Sequence, residues 1–312
     1  MYILVNIVNK PNLYLTDMIP FLAFPIKNIL CGLLFTAMLV FVLTGCAFKN
    51  VTRSKDITYL EKEKESGVAE QRLNVFAPAE KRASLKKVLI FIHGGNWNSG
   101  RKGLYSFLGN RLARKDIVTV IIDYPLTPNA DYTQMALATA RSVQWVSNNI
   151  SQYGGDPNAI FISGHSAGGH LAALVAIDNR YFKAINEPNP IKGIILIDAA
   201  GLDMYGYLKA ENFSPDNTYL KTFTTEESQW KKASPLYALH PGMPPLLIYQ
   251  GEKTYASISS STKRFIGALE QYDAEPNFYI LKNKKHVGMI TQFFNAYNPR
   301  YKEIIAFMND NS

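Results

Sequence analysis

Cysteine is nearly absent: two in 312 residues, Cys31 and Cys46, both close to the amino end. The chain beyond residue 46 therefore holds no internal disulfide and no thiolate metal site. A body of this length buries enough apolar surface to stand without such staples. Charged residues amount to 19% and hydrophobic ones to 47%, a balance that excludes a disordered, solvating chain. Histidine and carboxylate pairs at metal-ligand spacing are missing, so no metal and no other cofactor is expected. The formal charge of +8 gathers at Lys81-Arg82, Lys86-Lys87 and Lys282–Lys285, without the interleaved aromatics of a nucleic-acid platform. These patches read as solvated surface, and no nucleic-acid partner is expected. Internal repeats and low-complexity tracts are lacking too, which rules out a solenoid or an array.

Long apolar runs are scarce, and the one that stands out is Ile29–Leu43, with Lys27 before it and Thr44-Gly45-Cys46 after it. It is short for a membrane span and right for the core of a signal peptide. Leu43-Thr44-Gly45-Cys46 resembles the lipobox of bacterial lipoproteins, in which cleavage precedes a cysteine that becomes lipid-modified. On this reading residues 1–45 are a leader, Cys46 carries the lipid, and 46–55 form a polar tether before a domain at 56–312. Initiation at Met18 would give a leader of about 28 residues, within the usual range. The resemblance implies an extracytoplasmic protein anchored to a bacterial membrane, with the periplasmic or outer-membrane side favoured. An uncleaved signal anchor is the alternative.

The body alternates strand-like and helix-like segments. Val88–Ile92, Ile117–Ile122, Ala159–Ser163 and Gly193–Ile197 are short apolar runs; Leu104–Lys115, Met135–Ile150 and Leu171–Ile177 are helical in spacing or length. Two earlier strands are expected around Ile57–Leu60 and Leu73–Phe76, joined by the charged link Glu61–Glu70. Such alternation predicts a mostly parallel sheet covered on both faces, with active loops at the carboxyl ends of its strands.

Three motifs fall at those ends. In Gly164-His165-Ser166-Ala167-Gly168 a serine flanked by small residues stands between a strand and a helix. That is what a nucleophile elbow needs: the bend is so tight that side chains at the glycine positions would strike neighbouring backbone. His93-Gly94-Gly95-Asn96-Trp97 follows another strand, and its glycines let backbone N–H groups face a developing oxyanion. Gly95 and Asn96 are expected to donate there, with Ala167 donating from the elbow. His286, on a late loop after Asn277–Leu281, has the chain order and chemistry of a general base. His165 and His170 adjoin the serine but read as structural, since one base suffices.

From about Asp56 onward the chain resembles an α/β-hydrolase of the esterase and lipase branch, the one carrying the HGG oxyanion loop. Small esterases and arylformamidases share the HGG-x-W variant. Asp123-Tyr124-Pro125-Leu126, Gly154-Gly155-Asp156-Pro157, Ser234-Pro235 and Gly251 after the seventh strand add to the likeness. It implies an eight-stranded, mostly parallel sheet with helices on both faces and a small lid insertion at about 199–239. It also implies a serine hydrolase acting on a small-molecule carboxylic ester through an acyl-enzyme. An arylformamidase-like amidase, or a binding lipoprotein with a decayed triad, are the rival readings.

The third triad member is the point of departure. The resemblance places the acid three residues after the glycine that ends the seventh strand, and counting from Gly251 that position is Thr254. Glu252, two residues early on the same loop, is the first candidate. Asp203 or Asp198, after the sixth strand, are the others, and a triad with no acid is the remaining possibility. Aromatics crowd the insertion: Tyr205, Tyr207, Phe213, Tyr219, Phe223 and Trp230. They read either as a substrate wall or as the insertion's own small core, and Trp97 is open to the same two readings.

Overall fold

In the computed structural model, residues 50–62, 68–80, 84–272 and 276–312 are described. The leader, Cys31, Cys46, Lys81-Arg82 and the middle of the Glu61–Glu70 link lie outside them. The eight strands are β1 (Val51–Leu60), β2 (Gln71–Pro78), β3 (Lys86–Ile92), β4 (Val118–Ile122), β5 (Gly155–His165), β6 (Ile191–Ile197), β7 (Leu246–Lys253) and β8 (Asn277–Lys285). They form one sheet in the order β1-β2-β4-β3-β5-β6-β7-β8. The β1–β2 and β2–β4 pairs are antiparallel, and every other pair is parallel. The sheet is mostly parallel, as the alternation predicts, and eight-stranded, as the resemblance implies.

The β3 run Lys86-Lys87-Val88-Leu89-Ile90-Phe91-Ile92 explains why the centre is buried on both sides. Val88, Ile90 and Ile92 enter one apolar cluster, while Leu89 and Phe91 enter the other. Side chains alternate across a strand, so a continuous apolar run needs cover on both faces. One face is covered by α2 (Tyr132–Asn149), α3 (Ala167–Ile177) and α8 (Ala256–Leu269), through Met135, Leu171 and Phe265. The other is covered by α1 (Ser106–Ala113), α9 (His286–Thr291) and α10 (Arg300–Asp310), through Leu108, Met289 and Phe307. A capping box starts α2: the Asp131 carboxylate accepts from Gln134 N at 2.9 Å, and the Gln134 side chain accepts from Asp131 N at 3.0 Å. The short helix α4 (Arg180–Ala184) follows α3. Among the described residues no helix is long and apolar enough to cross a membrane.

Two boundaries need correction. Residues Val51–Lys55, read as tether, belong to β1, which pairs with β2 from Val51↔Pro78 onward. Most of the strand's outer half is exposed, so Arg53, Lys55 and Asp56 cost nothing there and hide the apolar alternation. The elbow strand also starts earlier than Ala159, at Gly155. Between β6 and β7 the insertion folds into α5 (Met204–Ala210), α6 (Thr218–Phe223) and α7 (Glu227–Lys232). Its Phe223 is fully buried against Trp97, at 4.9 Å between ring centroids, so these two aromatics are packing.

Candidate active site

Parallel register lines up the ends of five strands at one edge. Ile92 of β3 faces Gly164 of β5, His165 faces Ile197 of β6, and Ile197 faces Tyr249 of β7. Lys253 of β7 faces Lys285 of β8. The next residues along β5, β6 and β8 are Ser166, Asp198 and His286, so three separate segments deliver their side chains to one point.

At the elbow Ser166 holds φ 55° and ψ −121°, a conformation costing on the order of 1–3 kcal/mol for a residue with a side chain. The surroundings enforce it. A Cβ on Gly164 would lie 2.2 Å from the Gly168 backbone, and one on Gly168 would lie 2.2 Å from the Ile92 carbonyl oxygen. The Ser166 backbone is pinned on both sides: its N–H donates to the Ile197 carbonyl at 3.2 Å, and its carbonyl accepts from Ala200 N at 3.1 Å.

Ser166 Oγ lies 2.9 Å from His286 Nε2, and His286 Nδ1 lies 2.6 Å from Asp198 Oδ2. A carboxylate can only accept, so Nδ1 carries the proton and the Nε2 lone pair faces the serine hydroxyl. The Asp198 side chain is fully buried, and that of His286 is 14% exposed. Gly251 N donates to Asp198 Oδ1 at 2.8 Å, and Thr254 Oγ1 donates to Asp198 Oδ2 at 2.5 Å. Three donors thus compensate a charge taken wholly out of water.

The acid beside the histidine is Asp198, not Glu252. Glu252 is exposed, and its Oε2 accepts from the Asn283 backbone N–H at 2.6 Å; it links the last residues of β7 to those of β8. Asp203 faces elsewhere, capping α5 through Gly206 N at 2.8 Å and pairing with Arg264. Asp198 comes from the neighbouring strand, one position past the end of β6, with φ 49°. The sequence carries no motif around it that marks such a turn.

Gly95, Asn96 and Trp97 all have positive φ, at 130°, 51° and 59°. At Gly95 only glycine fits: a Cβ there would sit 2.1 Å from the Ser99 carbonyl oxygen. Its own carbonyl accepts from Asn98 N and Ser99 N at 3.2 and 3.0 Å, closing the loop as a turn. The N–H groups of Gly95 and Asn96 find no acceptor among the described residues. Ala167 is the first residue of α3, where the helix leaves N–H groups without partners. The loop is held from behind by Gly94 N–H donating to Tyr105 Oη at 3.2 Å and Tyr124 Oη–H donating to the His93 carbonyl at 3.2 Å. The Asp123 carboxylate takes Lys102 N and Nζ at 2.6 and 2.7 Å. Burial pulls the Lys102 ammonium down, but Asp123 and Asp56 together outweigh it and raise its pKa.

Both histidines beside the serine are buried, and burial lowers each pKa to about 4. The positive charge that His286 can carry lowers His165 further. His165 Nε2–H donates to the His286 carbonyl at 3.2 Å, and its ring stacks on the His286 ring at 4.7 Å. His170 Nε2–H donates to the Ala233 carbonyl at 2.7 Å. Tyr255, 61% exposed, leans over the outer side of His286 at 5.0 Å between ring centroids. A cavity of about 20 Å³ near the elbow is lined by Trp97, Gly201, Met204, Tyr207, Tyr219 and Ile258, room for about one water. Among the described residues no cluster of His, Cys, Asp and Glu could hold a metal ion.

Sheet order, elbow and strand-end constellation together define an α/β-hydrolase. The chain belongs to the BD-FAE family, whose model matches residues 73–264. It is similar to the isoprenylcysteine alpha-carbonyl methylesterase ICME of Arabidopsis thaliana, 28% identical over 71% of this chain and 55% of that protein. It is also similar to esterase LipQ of Mycobacterium tuberculosis, 30% identical over 64% of this chain and 49% of that protein. The chain thus spans about half the length of the curated relatives it matches. Among solved structures, esterase B from Lactobacillus rhamnosis superposes with a TM-score of 0.69 at 18% identity, covering 91% of this chain and 96% of that one. A truncated carbohydrate esterase from gut microbiota superposes with a TM-score of 0.68 at 18% identity, covering 83% and 96%.

Proposed function

We propose that this protein is a serine hydrolase that cleaves a small carboxylic ester through an acyl-enzyme. The observation that carries the reading is the unbroken chain of contacts from Ser166 Oγ through His286 to Asp198. His286 Nε2 takes the hydroxyl proton as Ser166 Oγ attacks the ester carbonyl. The carbonyl oxygen becomes an anion facing the N–H groups of Gly95, Asn96 and Ala167, and Asp198 balances the imidazolium that forms. Collapse expels the alcohol, which leaves with the proton from His286. Water then enters, gives its proton to Nε2 and releases the carboxylic acid by the same steps in reverse.

Family membership and the ester-hydrolase names of the relatives support this reading. A decayed, purely binding protein had one argument in its favour, the apparent lack of an acid, and Asp198 removes it. The test is labelling by a fluorophosphonate together with hydrolysis of a short-chain aryl ester. The wild type is expected to do both and Ser166→Ala neither; a wild type inert to both contradicts the proposal.

The sequence adds a second proposal, that Cys46 is lipid-modified and holds the enzyme to a bacterial membrane outside the cytoplasm. Its support is the run Leu43-Thr44-Gly45-Cys46. Fatty-acid labelling of the expressed protein, lost in Cys46→Ala, is the expected result; an unlabelled, secreted form contradicts it.

A further inference from the structure

Asp198 Oδ2 is a shared acceptor. His286 Nδ1 reaches it at 2.6 Å and the Thr254 hydroxyl at 2.5 Å, while Gly251 N holds the other oxygen at 2.8 Å. The two donors on Oδ2 come from different strand ends, and nothing in the proposed reaction so far uses Thr254. The residue is fixed to the β7 end by its own backbone, whose N–H donates to the Gly251 carbonyl at 3.2 Å. Its hydroxyl is therefore presented from a rigid turn. Asp198 itself sits at positive φ, and these three donors are the ones that reach its carboxylate among the described residues.

We infer that Thr254 is a positioning residue of the triad: its hydroxyl sets the plane of the Asp198 carboxylate so that Oδ2 points at His286 Nδ1. The inference rests on the proposed serine-hydrolase reading. When His286 takes the serine proton, the new positive charge on the imidazolium faces the one oxygen that Thr254 also holds. A carboxylate free to rotate would spend part of that attraction on reorientation, and a fixed one does not. Substrate binding involves neither atom, so the hydroxyl acts on kcat and leaves KM alone.

Thr254→Val removes the hydroxyl and keeps the branched shape; Thr254→Ser keeps the hydroxyl and loses the methyl. On a short-chain aryl ester, Thr254→Val is expected to lower kcat about tenfold to hundredfold, the range of a hydrogen bond to a charged group. KM should stay near the wild-type value, the thermal midpoint should fall by several degrees because buried Asp198 loses one of its three donors, and Thr254→Ser should retain most of the rate and of the midpoint. In an Asp198→Asn background, adding Thr254→Val should cost far less than it does alone. Unchanged kcat in Thr254→Val, an equal loss in Thr254→Ser, or an undiminished loss in the Asp198→Asn background would each overturn the inference. A readout independent of turnover separates it from the function itself: the downfield proton resonance of His286 Nδ1–H. That signal should be present in the wild type, absent in Asp198→Asn and displaced in Thr254→Val. A signal identical in wild type and Thr254→Val overturns the positioning role, whereas inert wild-type protein with a displaced signal overturns only the ester-hydrolase reading.

Discussion

The indole N–H of Trp97 donates to His170 Nδ1 at 3.2 Å, tying the oxyanion loop to the helix that starts at the nucleophile. His170 Nε2–H continues the chain to the Ala233 carbonyl in the insertion. One buried neutral imidazole thus joins three segments, and the tautomer is set by its acceptor. Trp97 directly follows Asn96, and both hold positive φ.

His170→Phe should leave the Trp97 N–H and the Ala233 carbonyl buried without partners. A loss on the order of 3 kcal/mol is expected from two such groups, read as a lower urea midpoint. Ester turnover should fall further than stability alone explains, because the oxyanion loop loses its anchor. An unchanged midpoint would show that the bonds contribute nothing.

Gly95→Ala places a methyl group against the Ser99 carbonyl and asks alanine for a φ of 130°. The loop must move, and the two N–H groups move with it. Turnover of an aryl ester should drop about 10²–10³-fold, the usual effect of losing an oxyanion donor. Fluorophosphonate labelling should slow in parallel, and a variant with wild-type rates would remove Gly95 from the oxyanion site.

Acid sensitivity follows from His165 and His170. Burial, with the His286 charge added for His165, holds both near 4 in the folded protein, while an unfolded histidine titrates near 6.5. Between those values the unfolded chain binds more protons, so stability rises with pH across that window. The full contribution is present above about 6.5 and is lost as the pH falls toward about 4, on the order of 3 kcal/mol for each ring. Thermal midpoints measured from pH 7.5 to 4.5 should fall steeply for the wild type. His170→Gln cannot ionise and should fall less; parallel curves would refute the assignment.

The elbow, the HGG loop and His286 were legible because each rests on a local demand. Gly164 and Gly168 border backbone that a Cβ would strike, and Gly95 has a φ that only glycine takes readily. The acid was legible only as one of three candidate carboxylates, with Glu252 placed first, because nothing local singles out Asp198. Counting along the chain from Gly251 leads to Thr254, yet in space the end of β6 lies beside the end of β7, and Asp198 crosses that gap. Glu252 had charge and proximity in sequence but points at Asn283. The extent of β1 was hidden for a related reason: an edge strand tolerates charge, so Arg53 and Lys55 mask its pairing with β2. Trp97 and Phe223 turned out to be core, a matter of burial that residue type alone leaves open.

In the proposed reaction the orienting acid comes from the end of β6, and Asp198→Asn compared with Glu252→Gln decides whether it does. With kcat measured on one short-chain aryl ester, Asp198→Asn should lose about 10⁴-fold, as expected when the histidine loses its orienting acid, and Glu252→Gln should stay near wild type. The reverse pattern, or near wild-type turnover in Asp198→Asn, would show that Asp198 is not that acid.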